Sequence, residues 1–592
     1  MADIKSKLIG DVKIPFRIIL KRTFKYLKPH KWKMFLALFL ILLSVAIDIV
    51  VPLIYRDIID NLNSSKTFTL SVDSFLKFLL GGLAVYFTCF VFSQGIRFIE
   101  TIILQRIGNS VVYQMRIETF EHIEKMSLDQ FEVMPVGSLV TRVCNYTSQL
   151  SDLYTNQLAN LLRNILTVVG VYAVMLFISP MLALIILGIA NVVLVGSIFF
   201  RKRISRLHRL EKGYLSDINT TLSEDLNGMK IIQLFNREDS AREKFKEKNT
   251  IYRKNRFKIM ATYTFHRPFV ILCQYIGTAV LFFFSAKLAL TAGTVVVFAW
   301  FLEKFFEPIQ SIADQLMHIE RALTSSERLF NLLDVQPKVV DKKTAQDIPH
   351  FKGKIEFKHV WFSYDNKVWV LKDVSFTVKP GQTFALVGAT GAGKTTIFSL
   401  LTKAYKPQKG QILIDGIDIN DIKISSLRAA IGQMLQDVYL FSGTIKSNIT
   451  LHDEKYSDEE IKAACDYVNA SYFIDKLPNK YEEKVVERGE NFSQGQRQLL
   501  SFARTVLAKP QIMLLDEATA NIDTETESII QDSLNKMASL GTMLVVAHRL
   551  STIQKADQII CLQNGEVIES GTHNELLKNK NYYWRLYKLQ FK

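Results

Sequence analysis

Long apolar runs alternate with charged stretches over the first half of the chain. Six of these runs have roughly the 20 apolar residues that a helix needs to cross a bilayer. The stretches after the second and fourth runs are long, charged and periodic, whereas the other connections are short. The pattern predicts a helical membrane domain whose helices extend well beyond the bilayer on one side. The predicted spans are about Met34–Ile54, a run from near Phe75 past Ile103, Leu158–Ile178, Met181–Phe200, Tyr263–Leu290 and Val295–Ile312.

Basic residues predict the orientation of these spans. Residues 1–33 contain ten Lys or Arg, whereas the next connection, Tyr55–Ser74, has only Arg56 and Lys66. Because Lys and Arg concentrate on the cytoplasmic side, the N-terminus, the long connections and the second half of the chain are predicted to be cytoplasmic. Within residues 1–33, apolar residues at helical spacing favour a helix on the membrane surface over an ordinary solvated helix.

The second half of the chain has the pattern of a soluble domain. Short apolar strands such as Phe384–Val387 and Ile512–Leu515 alternate with helices, which predicts an α/β fold with a largely buried sheet. The predicted organisation is a basic interfacial segment 1–33, a transmembrane domain 34–333, a linker 334–352 and a soluble α/β domain 353–592.

Composition narrows the class of protein. Hydrophobic residues make up 48% of the 592 residues and charged residues 22%, which excludes a disordered chain. The net charge of +16 is better explained by basic cytoplasmic loops than by binding to nucleic acid. The five cysteines show no CxxC spacing and are interpreted as free thiols.

A phosphate-binding loop follows the strand Phe384–Val387 and opens the next helix at Thr396. Its glycines allow backbone N–H groups to surround phosphate oxygens at a helix N-terminus. Lys394 is predicted to reach the β- and γ-phosphates, and the Thr395 hydroxyl to bind Mg²⁺. The loop reads Gly388-Ala389-Thr390-Gly391-Ala392-Gly393-Lys394-Thr395.

Two acids end the apolar strand Ile512–Leu515. Asp516 is placed to hold Mg²⁺, directly or through water, and Glu517 to orient and polarise the attacking water. An acidic pair after a strand is weak evidence for a catalytic site by itself, but the evidence becomes strong when a phosphate-binding loop precedes the pair in the chain. Together these residues predict an ATP hydrolase.

Further motifs make this half resemble the ATP-binding cassettes of ABC transporters. Tyr364 resembles the aromatic residue that stacks on adenine, and Gln436 the glutamine that contacts Mg²⁺ and faces the membrane domain. Asp523 resembles part of the loop that crosses to the partner cassette, and His548 the histidine that contacts the γ-phosphate. The six-span half resembles the exporters of this family, so the resemblance implies a half-exporter with ATP and Mg²⁺ as ligands.

The signature motif departs from the family pattern. The family sequence Leu-Ser-Gly-Gly-Gln is replaced by Phe492-Ser493-Gln494-Gly495-Gln496, in which Gln494 stands for a glycine. In the family this motif closes over the ATP held by the partner chain. The resemblance therefore implies a heterodimer whose second half-transporter has an intact signature, with a homodimer that tolerates Gln494 as the alternative.

Polar residues within the spans leave two interpretations open. Asp48 lies in the first span, and Glu303 and Lys304 lie in the sixth. Ionisable groups at membrane depth line a cavity or pair with one another. They are therefore candidates for substrate contact or the outer gate, and the alternative is an ion pair or a position already at the wet outer end of the span.

The family resemblance implies alternating-access export of amphipathic drugs, lipids or peptides, from a bacterial plasma membrane. Contacts with membrane lipid are expected, and a nucleic-acid partner is not. An ATP-gated channel on the same fold is the main alternative, which Glu517 disfavours. A nucleic-acid-associated ATPase is disfavoured by the six spans, and an importer by the fusion of both domains.

Overall fold

The computed structural model describes residues 14–62, 72–132, 134–435, 437–516, 524–546 and 553–591. The chain divides into two compact units, each of which is described by itself. The helical unit comprises Ser6–His122 and Pro135–Val335, and the cassette unit includes Ile123–Met134 and Gln336–Lys592.

Apart from short turns and connections, the described residues up to Leu333 are helical. Two five-residue π-helical turns, Arg142–Tyr146 and Leu153–Gln157, interrupt the helical run before the third predicted span. The α-helices are α1 Phe16–Leu27, α2 Lys31–Leu62, α3 Val72–Glu124, α4 Leu128–Glu132, α5 Val136–Thr141, α6 Thr147–Asp152, α7 Leu158–Ile178, α8 Pro180–Asn227, α9 Met229–Leu234, α10 Glu238–Lys287 and α11 Ala292–Leu333.

Six helices, α2, α3, α7, α8, α10 and α11, correspond to the six predicted spans, although α10 ends at Lys287, three residues before the predicted end of the fifth span. Helices α3, α8, α10 and α11 have between 42 and 53 residues, well above the roughly 20 that a bilayer requires. The predicted extension of the helices beyond the membrane is therefore confirmed.

Five helical segments of the described chain are long and apolar enough to cross a membrane, and α11 is not among them. Between Val295 and Ile312, α11 carries Glu303, Lys304 and Glu307, which lower its mean hydropathy. Its apolar side chains are nevertheless buried, including Phe298, Phe301 and Phe306. Packing against α7, α8 and α10, rather than exposure to lipid, accounts for the position of α11 in the helical unit.

The basic N-terminal stretch forms α1, as its apolar periodicity predicted. Ile19, Tyr26 and Leu27 are buried against α3 and α11, while Phe24 remains 55% exposed. The Tyr26 hydroxyl donates to Glu118 Oε2 at 2.8 Å. One face of α1 is therefore fixed to the helical unit, and the opposite face is free to meet a membrane surface.

The outer end of α2 supports the start of α11. Thr291 caps α11 by accepting from the Thr294 N–H, and its own hydroxyl donates to Asp60 Oδ2 at 2.6 Å. The Gly293 N–H donates to Asp60 Oδ1 at 2.8 Å. A carboxylate at a helix N-terminus meets unpaired N–H groups and the positive end of the helix dipole.

Strands and shorter helices alternate from residue 355 onward in the cassette unit. Short 3₁₀ turns are also present at Ile419–Asp421, Lys480–Glu482 and Glu487–Gly489. The elements are β1 Ile355–Phe362, β2 Leu371–Val378, β3 Thr383–Gly388, α12 Lys394–Leu401, β4 Lys409–Ile414, β5 Ile417–Asp418, α13 Ile424–Ala430, β6 Ile431–Met434, β7 Gly443–Thr444, α14 Ile445–Thr450, α15 Asp458–Tyr467, α16 Ser471–Ile474, β8 Lys484–Val485, α17 Gln494–Leu507, β9 Ile512–Asp516, α18 Thr524–Ala538, β10 Thr542–Val546, β11 Gln558–Gln563, β12 Glu566–Gly571, α19 His573–Asn579 and α20 Tyr582–Phe591.

The predicted buried sheet has six strands in the order β12-β11-β3-β10-β9-β6. All neighbours are parallel except β11 and β12. The side chains of β10 are all buried, as the uninterrupted apolar runs indicated, because the sheet is covered on both faces. Leu386, Val546 and Asp516 lie in register, so β3, β10 and β9 end at the same edge.

A second, antiparallel sheet has the order β2-β1-β4-β5. The sequence predicted two of its strands, about Lys354–Phe357 and Ile412–Ile414, but not the separate sheet. Strand β1 continues to Phe362, with register shifts near Val360. The last residue of β1, Phe362, packs against Tyr364, which lies beside the helix that follows the phosphate-binding loop.

Candidate functional site: the nucleotide site and its surroundings

The phosphate-binding loop connects the carboxyl end of β3 to the first turn of α12. Gly391 and Gly393 have φ values of +82° and +100°, in the left-handed region that glycine adopts without strain. A Cβ on Gly393 would lie 2.6 Å from Leu371 Cδ2, and one on Gly388 would lie 2.3 Å from Leu562 O. The loop therefore requires glycine for its backbone conformation at Gly391 and Gly393, and for close packing at Gly388 and Gly393.

The Lys394 side chain curls back into this loop. Its Nζ donates to Gly388 O at 2.6 Å and to Ala389 O at 3.0 Å, and the residue is only 7% exposed. Burial lowers the pKa of Lys394 below its usual value, and the Asp516 carboxylate partly opposes this effect. A desolvated ammonium beside a helix N-terminus suits binding of a phosphate group.

Thr395 and Asp516, which are 121 positions apart, come together at the edge of the six-stranded sheet. The Thr395 hydroxyl donates to Asp516 Oδ2 at 3.2 Å. Because β9 and β3 flank β10, the acid at the end of β9 faces the helix that follows β3. Hydroxyl and carboxylate oxygens are the ligands that Mg²⁺ prefers, so this pair fits the predicted metal ion.

Tyr364 lies beside the first turn of α12, where the sequence predicted an adenine contact. Its hydroxyl is 3.1 Å from Thr396 Oγ1, and its ring packs edge-on against Phe362 and Tyr405 at centroid distances of 4.8 and 5.1 Å. The residue remains 42% exposed. An aromatic ring held in place by neighbouring rings, yet open to solvent, can stack on a planar base.

The signature motif forms the start of α17. Ser493 accepts from the Gln496 N–H at 3.2 Å, and the Gln496 side chain accepts from the Ser493 N–H at 2.9 Å. This reciprocal capping box fixes the N-terminus of α17. Gly495 is buried beneath it, whereas Gln494 is partly exposed.

Gln494 also borders a cavity of about 330 Å³ in the cassette unit. Two polar atoms beside it, Gln498 Oε1 and Arg497 Nε, are buried without a hydrogen-bond partner in the described structure. Tyr439, at the rim, is 50% exposed. The lining residues are Asp437, Val438, Tyr439, Arg488, Gln494, Arg497 and Gln498.

Four predicted site residues, Gln436, Glu517, Asp523 and His548, lie outside the described residues. The strands that precede Glu517 and His548 are β9 and β10, whose ends are adjacent and aligned with β3. Their predicted roles therefore stay predictions.

Apolar side chains are exposed at the turn between α8 and α10, which is the tip of the second cytoplasmic connection. Helix α9 follows α8 after Gly228, and Ile231, Leu234 and Phe235 are 63%, 71% and 72% exposed. We call these three residues the apolar tip. A cluster of large apolar side chains at a helix end is typical of a protein–protein contact.

Two ion pairs at membrane depth were missed by the sequence analysis. Asp48 in α2 pairs with Arg97 in α3, and Ser93 Oγ lies 3.4 Å from the same carboxylate. Glu100, also in α3, pairs with Arg163 in α7 at 2.6 Å. Arg97 and Glu100 are three residues apart and therefore share a helix face. This spacing is the feature of the sequence that could have predicted ion pairs with neighbouring helices. Asp48 thus has an ion-pair partner within the chain, which agrees with the ion-pair interpretation of this residue.

Glu303 is exposed on α11, and Glu307 is exposed one helical turn later. No ion pair with either carboxylate is found among the described residues. Their side chains therefore differ from Asp48 and Glu100, which are neutralised within the chain.

Family models match both halves of the chain. Residues 34–309 match the model described as the ABC transporter transmembrane region, and residues 371–520 match the model described as ABC transporter. The first match covers nearly all of the predicted membrane spans. The second covers the part of the cassette unit from β2 to β9, which includes the phosphate-binding loop.

Curated relatives and a solved structure extend the similarity over nearly the whole chain. "Uncharacterized ABC transporter ATP-binding protein YfiC" of Bacillus subtilis (strain 168) is 36% identical over 582 residues, 97% of this chain and 94% of that protein. "Probable multidrug resistance ABC transporter ATP-binding/permease protein YheH" of the same organism is 37% identical over 522 residues, 86% of this chain and 76% of that protein. The structure described as "Structure of a bacterial Atm1-family ABC exporter with ATP bound" has a TM-score of 0.80 at 26% identity, and covers 95% of this chain and 98% of its own. The chain therefore belongs to the ABC transporter family, as a half-exporter that joins one membrane region and one ATP-hydrolysing cassette in a single polypeptide.

Proposed function

We propose that this chain is one subunit of a heterodimeric exporter that moves amphipathic small molecules out of a bacterial cell. The observation that carries the heterodimer is Gln494, which stands in the signature motif beside an otherwise complete set of nucleotide-binding residues. A signature motif serves the ATP bound by the opposite cassette, so this change affects the partner's nucleotide. The proposed partner has an intact signature and a weakened catalytic acid.

The proposed chemistry assigns one task to each side chain. Lys394 neutralises the phosphates, Tyr364 stacks on the base, and Thr395 with Asp516 holds Mg²⁺, which would screen phosphate charge when bound. Glu517 orients and polarises the attacking water. Two further residues complete the set by resemblance, since Gln436 links the metal to the membrane domain and His548 contacts the γ-phosphate.

Coupling between subunits is proposed to use the apolar tip. The three apolar side chains are each more than 60% exposed. Complete burial of each would stabilise the protein by about 1.5–3 kcal/mol. A cassette of the second chain would cover them. The cavity beside Tyr439 and Gln494 is the proposed docking site on the cassette unit of each chain, because its rim exposes the aromatic ring of Tyr439.

The exposed carboxylates of Glu303 and Glu307 support the proposal that two subunits assemble around a polar pathway through the membrane. Glu303 lies 11 residues into α11, or about 17 Å from its outer end, which is near the middle of a hydrocarbon core of roughly 30 Å. A charged side chain at that depth costs several kcal/mol when it faces lipid. A second subunit or a water-filled cavity therefore has to cover this face of α11.

The multidrug name of the YheH relative agrees with an amphipathic substrate. The apolar surface of the spans and the acidic face of α11 would together favour substrates that carry an apolar body and a positive charge. We place the transporter in the plasma membrane, since its relatives are bacterial and its N-terminus is basic.

ATP hydrolysis by the purified full chain in lipid nanodiscs tests the proposal. We expect the chain alone to bind ATP but to hydrolyse it slowly, and a co-purified second half-transporter to restore drug-stimulated turnover. Glu517→Gln is the matched control, because it keeps the size of the side chain but removes the catalytic carboxylate. Full drug-stimulated activity of the chain alone, abolished by Glu517→Gln, would establish a homodimer instead.

A further inference from the structure

A long apolar groove runs along α8 in the helical unit. It has a volume of about 480 Å³ and is bordered by α7 and α11. Leu194 and Ile198 in its wall are 48% and 46% exposed. The lining residues are Val168, Leu187, Ala190, Asn191, Leu194, Ser197, Ile198, Arg201, Phe305, Ile309, Ile312 and Leu316.

The groove continues directly into a basic cavity of about 540 Å³ on the same helix. Ile198 and Arg201 line both cavities, so the apolar and basic parts share a border. The basic part is lined by Ile198, Arg201, Lys202, Ser205, Arg206 and Arg209. We call Arg201, Lys202, Arg206 and Arg209 the basic face.

Helical spacing explains why the two parts are continuous. Leu187, Leu194, Ile198, Arg201 and Arg209 are separated by seven, four, three and eight residues, which keeps them on one side of an α-helix. A single strip of α8 therefore changes from apolar to cationic at Arg201.

The depth of this change coincides with a membrane surface. Helix α8 begins at Pro180, and Arg201 lies 21 residues later, or about 31 Å along the axis. The hydrocarbon core of a bilayer is about 30 Å thick. By depth, the groove is therefore level with the acyl chains, and the basic face is level with the cytoplasmic headgroups.

The cations of the basic face are not neutralised within the described parts of the chain, where no acidic side chain pairs with them. The next acid along α8, Glu211, is already held by Arg256 at 2.6 Å and by His208 at 2.7 Å. Four cations at one border of an apolar groove therefore complement a ligand that has a phosphate at one end and a hydrocarbon chain at the other.

We propose that this strip of α8 binds an anionic phospholipid of the cytoplasmic leaflet. One acyl chain occupies the groove beside Leu194, and the phosphate is held by Arg201, Arg206 and Arg209. The lipid is a bound ligand of the helical unit and fills the space between α7, α8 and α11.

Short-chain lipid added to the purified full chain in detergent tests this site. Dioctanoyl phosphatidylglycerol is expected to raise the melting temperature at lower concentration than dioctanoyl phosphatidylcholine, and native mass spectrometry reports the bound lipid directly. The double variant Arg206→Gln with Arg209→Gln should weaken the binding of phosphatidylglycerol by roughly 30-fold, the factor for two cationic contacts at a membrane surface. Leu194→Trp, which changes no charge, should weaken it by roughly tenfold, since it displaces about two methylene groups from the groove.

Arg203→Gln is the matched control, because Arg203 is an exposed arginine of α8 that borders neither cavity. It should retain binding to within about twofold. Equal responses to the two lipids, or equal losses in Arg203→Gln and the double variant, would overturn the proposal. Equal stabilisation by glycerol phosphate would also overturn it, since that probe has the charge but no chain.

Discussion

The ion pair between Glu100 and Arg163 joins α3 to α7 within the hydrocarbon region. Arg163 Nη2 donates to both carboxylate oxygens of Glu100 at 2.6 Å. Arg163 lies 15 residues before the outer end of α7 at Ile178, which corresponds to about 22 Å. The Glu100 side chain is 1% exposed and the Arg163 side chain is 24% exposed.

This difference in exposure predicts unequal effects of removing each partner. Arg163→Met removes the hydrogen-bonded counter-charge of a buried carboxylate and leaves only Arg97, which is itself paired with Asp48, so the loss costs about 3–5 kcal/mol. Glu100→Gln should cost only about 1–2 kcal/mol, because Arg163 can direct its guanidinium towards water and the glutamine still accepts a hydrogen bond. The double variant Glu100→Gln with Arg163→Met removes both charges and should return to within about 1 kcal/mol of the wild type.

Thermal unfolding of the purified full chain in nanodiscs measures these effects. At roughly 2 °C per kcal/mol for a domain of this size, Arg163→Met should lower the melting temperature by about 6–10 °C and Glu100→Gln by about 2–4 °C. Arg106→Met is the matched control, because Arg106 is exposed on α3 and forms no ion pair with the described residues. The reasoning fails if Arg163→Met melts like Arg106→Met, or if the double variant melts as low as Arg163→Met.

Four further predictions concern the nucleotide site and the subunit contacts. Gln494→Gly should raise the ATPase rate of the chain by roughly tenfold, because it removes a side chain that hinders closure over the partner's nucleotide. A tenfold change corresponds to a lowering of the activation barrier by about 1.4 kcal/mol, and an unchanged rate in steady-state assays would refute this prediction. Asp516→Asn keeps the hydrogen bond of the Thr395 hydroxyl but removes the charge that holds Mg²⁺, so kcat should fall at least about 100-fold and added Mg²⁺ should no longer tighten nucleotide binding. Phe235→Asp should lower transport into inverted vesicles by at least about tenfold while fluorescent ATP still binds, and normal transport would exclude the apolar tip from coupling. Glu303→Gln with Glu307→Gln should weaken transport of cationic substrates by roughly tenfold relative to neutral ones, and an equal effect on both classes would exclude charge selection.

Local sequence predicted the position of the phosphate-binding loop because the geometry of this loop is set by neighbours in the chain. The strand, the glycines and the helix start of the phosphate-binding loop are consecutive, so backbone conformation alone brings Lys394 and Thr395 into place. Asp516 was also predictable, since an acid at the end of one parallel strand necessarily meets the loop at the end of a nearby one.

The ion pairs were not predictable because they depend on which helices pack together. Asp48 could have paired with any cation at the same depth, and the sequence offered Lys304 as readily as Arg97. The antiparallel sheet was missed for a similar reason, because β1 pairs with β4 across more than 40 intervening residues. Neither hydrophobic period nor residue type specifies such long-range partners.

Charged residues at membrane depth therefore separate into two groups with different meanings. Asp48, Arg97, Glu100 and Arg163 find partners within the chain, so their substitution should be felt first as lost stability. The exposed carboxylates of α11 have no such partner among the described residues, and placing them against lipid would cost several kcal/mol. That cost disappears when the face borders water or a second subunit. The unpaired charges thus indicate the surface that a complete transporter has to cover, and the paired ones indicate the surface that is already closed.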